Sequence, residues 1–190
     1  MSHKKFDPSK AERLLAPERY QELKPDIMLQ KLGIAPGSTI LDLGCGNGFF
    51  TFPAAVAMGE GMVIAADMSE PMLNLLRRRN TPDNVQILQV AEVKMEIEND
   101  TVDAAVLLAI YHEFKDPLEN LAEIQRILKP GGKLLILDWD PDSQKERGPG
   151  RDHRVHKTEA MADLTSAGFT VDSHEDYVQD MWMIIAHSNQ

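Results

Sequence analysis

The strongest constraint in this 190-residue chain is a glycine turn set between a short apolar run and a helix. Residues 39–43 (Thr-Ile-Leu-Asp-Leu) read as a strand, Gly44-Cys45-Gly46-Asn47-Gly48 follows, and a helix then runs through about Met58. Glycines in such a turn let the backbone fold back sharply and let a ligand lie directly against it. A glycine cluster alone serves any tight strand-to-helix turn, so the surrounding residues decide. The spacing is G-x-G-x-G, whereas dinucleotide binders use G-x-G-x-x-G, with a third glycine that packs the helix beside a pyrophosphate. Asp42, two residues before the first glycine, would repel a pyrophosphate but suits a ligand carrying an ammonium or sulfonium cation. Asp67 ends the next strand, where this architecture places the acid that takes both ribose hydroxyls. Either acid taken singly could be an ordinary strand-end residue capping a loop. Together, and in this order, they predict a nucleoside-bearing cofactor.

The rest of the chain repeats the strand–helix rhythm. Residues 7–33 form a helical preamble, with Pro17 opening a helix, Pro25 breaking it, and Tyr20, Leu23, Ile27, Leu29 and Leu32 as intermittent apolar positions. Strands are predicted at 62–67, 85–90, 102–109 and 133–139. Helices are expected to open at Ser69-Glu70-Pro71 and to span 117–128, and Pro130-Gly131-Gly132 turns the chain into the fifth strand. The fourth strand is nearly all apolar, as expected where helices cover both faces of a sheet. After a polar loop (140–156) and a helix near 157–167, two strand-like runs (169–178 and 181–186) are separated only by Gln179 and Asp180. That is a hairpin length, so the last strand should enter antiparallel. The pattern predicts an α/β, doubly wound, mostly parallel sheet in a single domain, with 38–190 as its core. The preamble, which cannot belong to the sheet, is expected to fold over the crevice as an N-terminal helical lid, with Tyr20 facing the cofactor.

Composition narrows the partners. The net charge is −10, from 30 acidic against 20 basic side chains. Phosphate backbones and anionic lipid surfaces repel such a chain, which argues against nucleic acid or membrane as a partner. The dense basic cluster Arg77-Arg78-Arg79 ends a predicted helix, where cations suit the dipole. One cysteine, Cys45, precludes an intramolecular disulfide and disfavours a thiolate zinc site. With no apolar stretch of membrane-spanning length, a reducing cytoplasmic setting is the expectation.

Four motifs in order resemble those of the class I S-adenosylmethionine-dependent methyltransferases. Residues 40–48 are similar to their first motif, and Asp67-Met68-Ser69 with Met72 to their second. Asn99-Asp100-Thr101-Val102-Asp103 through Glu113-Phe114 is similar to the motif around strand four, and Leu128-Lys129-Pro130-Gly131-Gly132 to the one before strand five. The likeness covers about residues 18–140 and lies nearest the ubiquinone/menaquinone-biosynthesis and arsenite-type small-molecule enzymes. It implies a Rossmann-like seven-stranded sheet with the last strand antiparallel, and S-adenosylmethionine as cofactor. By carry-over, Gly44, Cys45 and Gly46, with Gly48 completing the turn, line the methionine part. Asp67 takes the ribose hydroxyls, Met68 and Met72 flank the adenine, and Leu108 and Ala109 supply backbone beneath the ribose and methionine. Where many members carry an Asp for the adenine amino group, this chain has Ala91 followed by Glu92, so Glu92 is the substitute.

The methyl acceptor is less legible. Tyr111 and His112 follow strand four, and His112 is the first choice for a general base because its ordinary pKa lies near neutrality. A connector between strand and helix is the plainer alternative. Trp139 ends strand five as a candidate aromatic wall, and His153 and His156 in the following loop are second choices for acceptor contact. His112, Asp138, His153 and His156 show no ligand spacing, so no metal is expected. A single cysteine disfavours arsenite chemistry. The expected function is methyl transfer by in-line displacement to a small-molecule acceptor. The alternatives are a non-catalytic S-adenosylmethionine-binding subunit and, opposed by Asp42 and the glycine spacing, a nicotinamide-dependent oxidoreductase. The sequence leaves the acceptor atom and the oligomeric state open.

Overall fold

The computed structural model describes residues 8–144 and 147–190, with side chains from Ala11 onward. Seven strands form one sheet in the order β3-β2-β1-β4-β5-β7-β6. They are β1 (Thr39–Leu43), β2 (Met62–Asp67), β3 (Val85–Gln89), β4 (Val102–Leu108), β5 (Leu128–Trp139), β6 (Phe169–Val178) and β7 (Met181–Ser188). The helices are α1 (Pro17–Leu23), α2 (Pro25–Leu32), α3 (Thr51–Met58), α4 (Glu70–Arg77), α5 (Pro117–Ile127) and α6 (Lys157–Ser166). The chain divides into two compact units, Met1–Glu92 and Val93–Gln190.

In the first unit β1, β2 and β3 pair in parallel, with Asp42 opposite Ala65 and Asp67 opposite Gln89. The preamble is a 3-10 segment (Pro8–Leu15) followed by α1 and α2. Lys24 breaks the helix in the left-handed region (φ 45°) while Pro25 opens α2. Proline cannot continue α1, but its fixed φ suits the first turn of a new helix. Leu23, Met28, Leu29 and Leu32 are buried, so the preamble contributes to the core. Ser69 occupies the cap of α4 without a side-chain bond. Its N–H instead donates to Asp67 Oδ1 (2.7 Å).

In the second unit β4 and β5 are parallel and β7 runs antiparallel between β5 and β6, the hairpin expected from its two-residue connection. The central residues of β4, β5 and β7 are buried, which explains their unbroken apolar runs. The start of β5 departs from the sequence reading. The strand begins at Leu128, directly after α5, and the Pro130-Gly131-Gly132 turn lies inside it as an irregularity. The pairing jumps from Val102–Leu128 to Ala104–Lys133, so the extra residues loop out of the ladder. At the start of α5, Asp116 caps the helix by accepting from the Glu119 N–H (3.1 Å).

Candidate functional site

The first unit carries the glycine turn. Gly44, Gly46 and Gly48 all have positive φ (71°, 56° and 94°), which accounts for the G-x-G-x-G spacing. A Cβ on Gly46 would lie 3.2 Å from Met72 Cε and 3.7 Å from Leu14 Cδ1. On Gly48 it would collide with Leu76 at 2.6 Å and Phe52 at 2.7 Å. The turn thus has a tightly packed side at Gly48 and a looser side at Gly46. Its N–H groups are used within the unit: Gly44 and Cys45 donate to the Ala66 carbonyl (2.8 and 3.0 Å), and Gly48 to the Cys45 carbonyl (2.9 Å). Gly46 donates to Asp67 Oδ2 at 2.8 Å. With Ser69 on the other oxygen, the Asp67 carboxylate is fixed in plane at the end of β2, across the turn.

Asp42 is buried and accepts a hydrogen bond from the Thr51 hydroxyl (2.6 Å), the first residue of α3. Burial pushes its pKa up to about 7. The Thr51 bond opposes that, the nearby Asp67 charge adds to it, and Arg19 opposes it again. Two carboxylates at one turn disfavour an anionic ligand and favour a cationic one. Cys45 packs with Ala65, Leu73 and Leu76, and burial raises its thiol pKa, so it is an inert core residue. Asn47 is buried, donates from Nδ2 to the Ala11 carbonyl (2.7 Å), and has no partner for Oδ1 among the described residues.

Of the other residues assigned to this half, Met68 is exposed, as are Ala91 and Glu92. Met72, expected to flank the adenine with Met68, is buried, and its Cε lies 3.2 Å from where a Cβ on Gly46 would stand. It points inward because it shares the inner face of α4 with Leu73 and Leu76. Tyr20 packs on Phe49, with ring centroids 4.5 Å apart. Arg79 donates to the Asn47 carbonyl (2.8 Å) and lies 4.1 Å over Phe52, which fits a structural reading of the basic cluster.

The second unit holds the residues that follow β4 and β5. Leu108 is buried. Ala109, with φ 56°, stores local strain at the carboxyl end of β4 and donates to the Leu137 carbonyl (2.7 Å). His112 Nδ1 lies 2.8 Å from Asp138 Oδ1, and the His112 N–H donates to Asp138 Oδ2 (3.1 Å). Trp139 N–H donates to the same carboxylate at 2.6 Å. Asp138 is fully buried and the His112 side chain is 9% exposed. Burial of the ring depresses the His112 pKa. The hydrogen bond and charge of Asp138 outweigh it, and the net shift is upward.

Tyr111 corrects the expectation that it stands beside His112 as a reacting group. It is buried, donates its hydroxyl to Asp163 Oδ2 (2.8 Å), and packs against Phe114 and Trp182. Burial and the Asp163 carboxylate both raise its pKa, so its proton is held in place. Trp139 is half-buried under a loop: Arg147 and Arg154 stand 5.8 and 5.7 Å from its ring. Arg147 is bound by both oxygens of the buried Asp180, and Arg154 spends its donors on the carbonyls of Pro149, Asp140 and Arg147. These cations hold the loop, whereas His153 and His156 lie in solvent with Asp152 and Asp142 at 3.7 and 3.8 Å. No group of three or more potential metal ligands occurs among the described residues.

The sequence reading missed Arg19, Thr51 and the pairing of Asp138 with His112. The last had a usable signal. Leu108 and Leu137 are register partners on parallel strands, so Asp138 and the turn after β4 leave the same end of that ladder.

A family profile described as methyltransferase domain matches residues 41–136. A crystal structure of a SAM-dependent methyltransferase from Aquifex aeolicus superposes with a TM-score of 0.91 at 30% identity, covering 96% of this chain and 99% of that one. The demethylmenaquinone methyltransferase of Clavibacter sepedonicus is 36% identical over 56% of this chain and 44% of that protein. The ubiquinone/menaquinone biosynthesis C-methyltransferase of a Marinomonas species is 30% identical over 61% of this chain and 49% of that protein. The chain spans about half the length of these two curated relatives, or less. It belongs to the S-adenosylmethionine-dependent methyltransferases, a family of enzymes whose cofactor is S-adenosylmethionine. The site fits that cofactor: Asp67 is fixed as an acceptor beside the glycine turn, and the acidic surroundings suit a cation.

Proposed function

We propose that this protein transfers a methyl group from S-adenosylmethionine to a small-molecule acceptor. The observation that carries the reading is the Asp67 carboxylate, held by the Gly46 and Ser69 N–H groups at the end of β2, where it can accept from two ribose hydroxyls. The acceptor class is supported by the names of the quinone-pathway relatives and by the acidic charge, which opposes nucleic acid. No helix among the described residues is long and apolar enough to cross a membrane.

When bound, the cofactor supplies a methyl carbon activated by a sulfonium. The protein's own contribution is to position the reactants and, for a hydroxyl or weakly acidic carbon acceptor, to remove a proton. His112 is the residue assigned to that step. Asp138 accepts the Nδ1 proton, which fixes the tautomer with the lone pair on Nε2. With the cofactor bound, the acceptor's proton would pass to Nε2 as its oxygen or carbon takes the methyl, the sulfur–methyl bond would break to leave a neutral thioether, and Asp138 would stabilise the imidazolium formed. Calorimetric titration with S-adenosylmethionine, S-adenosylhomocysteine and NADH, followed by assay against phenol, amine, thiol and carbon-acid acceptors, tests the proposal. Binding of the first two ligands and turnover of one acceptor is the expected result. NADH binding, or turnover of no acceptor by protein that binds the cofactor, would overturn it.

A further inference from the structure

Arg154 is a buried cation with no carboxylate of the described residues in ion-pair range. It is 8% exposed and closes the 3-10 turn Arg151–His153 in the loop after β5. Its Nε donates to the Pro149 carbonyl (3.1 Å), Nη1 to the Asp140 carbonyl (2.9 Å) and Nη2 to the Arg147 carbonyl (2.6 Å). These partners are neutral. A guanidinium has five N–H donors, so one on each terminal nitrogen is left over. Burying a charge is costly unless an opposite charge accompanies it.

The lack is not a shortage of acids, because residues 93–190 carry 19 acidic against 10 basic side chains. The acids of this loop are taken up elsewhere. Arg147, the more exposed arginine, receives both oxygens of Asp180. Asp140 Oδ1 accepts from the Asp142 N–H (2.9 Å), while Asp142 and Asp152 stand beside His156 and His153. Asp138 accepts from the His112 ring and from the N–H groups of His112 and Trp139. The guanidinium itself is held, with Cζ 5.7 Å from the centre of the Trp139 ring. Gly148 seats the loop on that ring, where a Cβ would fall 2.6 Å from it. The position is on the acceptor side. The Asp140 carbonyl lies two residues beyond Asp138, the partner of His112, and the charge of Arg154 opposes protonation of that ring.

We propose that Arg154 recognises a carboxylate on the methyl acceptor, which makes the substrate a small organic acid. The inference deepens the methyl-transfer reading above and rests on it. Three carbonyls fix the plane of the guanidinium without cancelling its charge, so little side-chain freedom is left to lose on binding. A planar fork of N–H donors matches a carboxylate in shape and sign. A neutral acceptor would leave the buried charge uncompensated, and the site discriminates against it for that reason.

Acceptor pairs that differ only in the acid isolate the contact: phenol and para-hydroxybenzoate, aniline and para-aminobenzoate, thiophenol and para-mercaptobenzoate. With the full chain and S-adenosylmethionine, kcat/KM should favour the acid of the reactive pair by about ten- to hundredfold, mainly through KM. Arg154→Met should erase that ratio, and Arg154→Lys should restore part of it. Arg147→Met, which releases the loop from Asp180, should slow both members of a pair alike. Calorimetry on wild type decides without turnover and without a variant that must fold. Benzoate should bind the complex with S-adenosylhomocysteine about tenfold or more tightly than benzamide. Equal binding of benzoate and benzamide, or a carboxylate preference kept in Arg154→Met, would overturn the assignment and leave the methyl-transfer reading intact. A benzoate preference with turnover of no acceptor would overturn methyl transfer, and with it the bound acid as a methyl acceptor.

Discussion

Asp67 illustrates how a single carboxylate is prepared for a ligand. The two backbone donors that hold it cost the protein no additional side chain, because they belong to the turn and to the start of α4. Asp67→Ala removes the ribose acceptor and leaves the Gly46 N–H without this partner. We expect a loss of about 1.5–3 kcal/mol in cofactor affinity, roughly ten- to more than a hundredfold, in a protein that still folds. Unchanged affinity by calorimetry would contradict the assignment. At the acceptor side the informative residue is Asp138. With His112 as base, His112→Ala should lower turnover by about a hundredfold or more while cofactor affinity is kept. Asp138→Asn keeps the shape but removes the charge that raises the His112 pKa. The acid limb of kcat/KM should therefore move to lower pH, and the plateau rate should fall because the Nδ1 proton is no longer held by a carboxylate. A plateau that falls with an unmoved limb would make Asp138 structural only.

At the scale of elements, the glycine turn separates binding from folding. Gly46→Val puts a branched side chain at φ 56° on the less tightly packed side, against Met72 Cε, and should abolish binding of S-adenosylhomocysteine. Gly48→Ala directs its methyl into Leu76 and Phe52, so its main effect should be a lowered Tm. Should Gly46→Val bind normally, the turn would serve folding alone. The turn was legible in the sequence because its requirement is local: three alternate left-handed positions within five residues favour glycine at each of them. The β6–β7 hairpin was legible for the same reason, from the two residues that join its strands. The start of β5 was not, because Pro130-Gly131-Gly132 has the signature of a turn whether it lies before a strand or loops out within one. Arg19 and the His112–Asp138 pair escaped because their meaning depends on contacts between separate elements. Arg19 sits in a preamble read only for its apolar spacing, and Asp138 lies 26 positions from His112. Tyr111 shows the converse. Its place after β4 suggested chemistry, but the ring turns inward to Trp182 and its hydroxyl to Asp163.

For the molecule as a whole, these buried groups predict an unusual dependence of stability on pH. Asp42 has a folded pKa of about 7 against an ordinary value of 3.8, so between those values the folded chain holds a proton that the unfolded chain has lost. Stability from this group therefore increases as pH falls from above 7 towards 4, by up to about 1.4 kcal/mol per pH unit. His112 acts in the same direction: its raised pKa gives stability that is complete below 6.5 and is lost as pH rises through the folded value. Glu123, lowered first by its bond to Arg126, opposes this only below its ordinary 4.5, where its stabilising charge is lost. The folded state should thus be more stable near pH 5.5 than near pH 8. Asp42 alone accounts for about 2 kcal/mol, or roughly 4–8 °C in Tm for a chain of this size. Asp42→Asn keeps an oxygen for the Thr51 hydroxyl and removes the ionisation, so it should flatten most of the slope. A cationic ligand favours ionised Asp42 and should flatten it too, with about one proton released per ligand bound near pH 6. Urea unfolding of wild type and Asp42→Asn at pH 5.5 and 8, with and without S-adenosylmethionine, measures all three effects. The same pH profile in wild type and Asp42→Asn would show that Asp42 is ionised in the folded chain at all these pH values, with its charge already balanced within the protein.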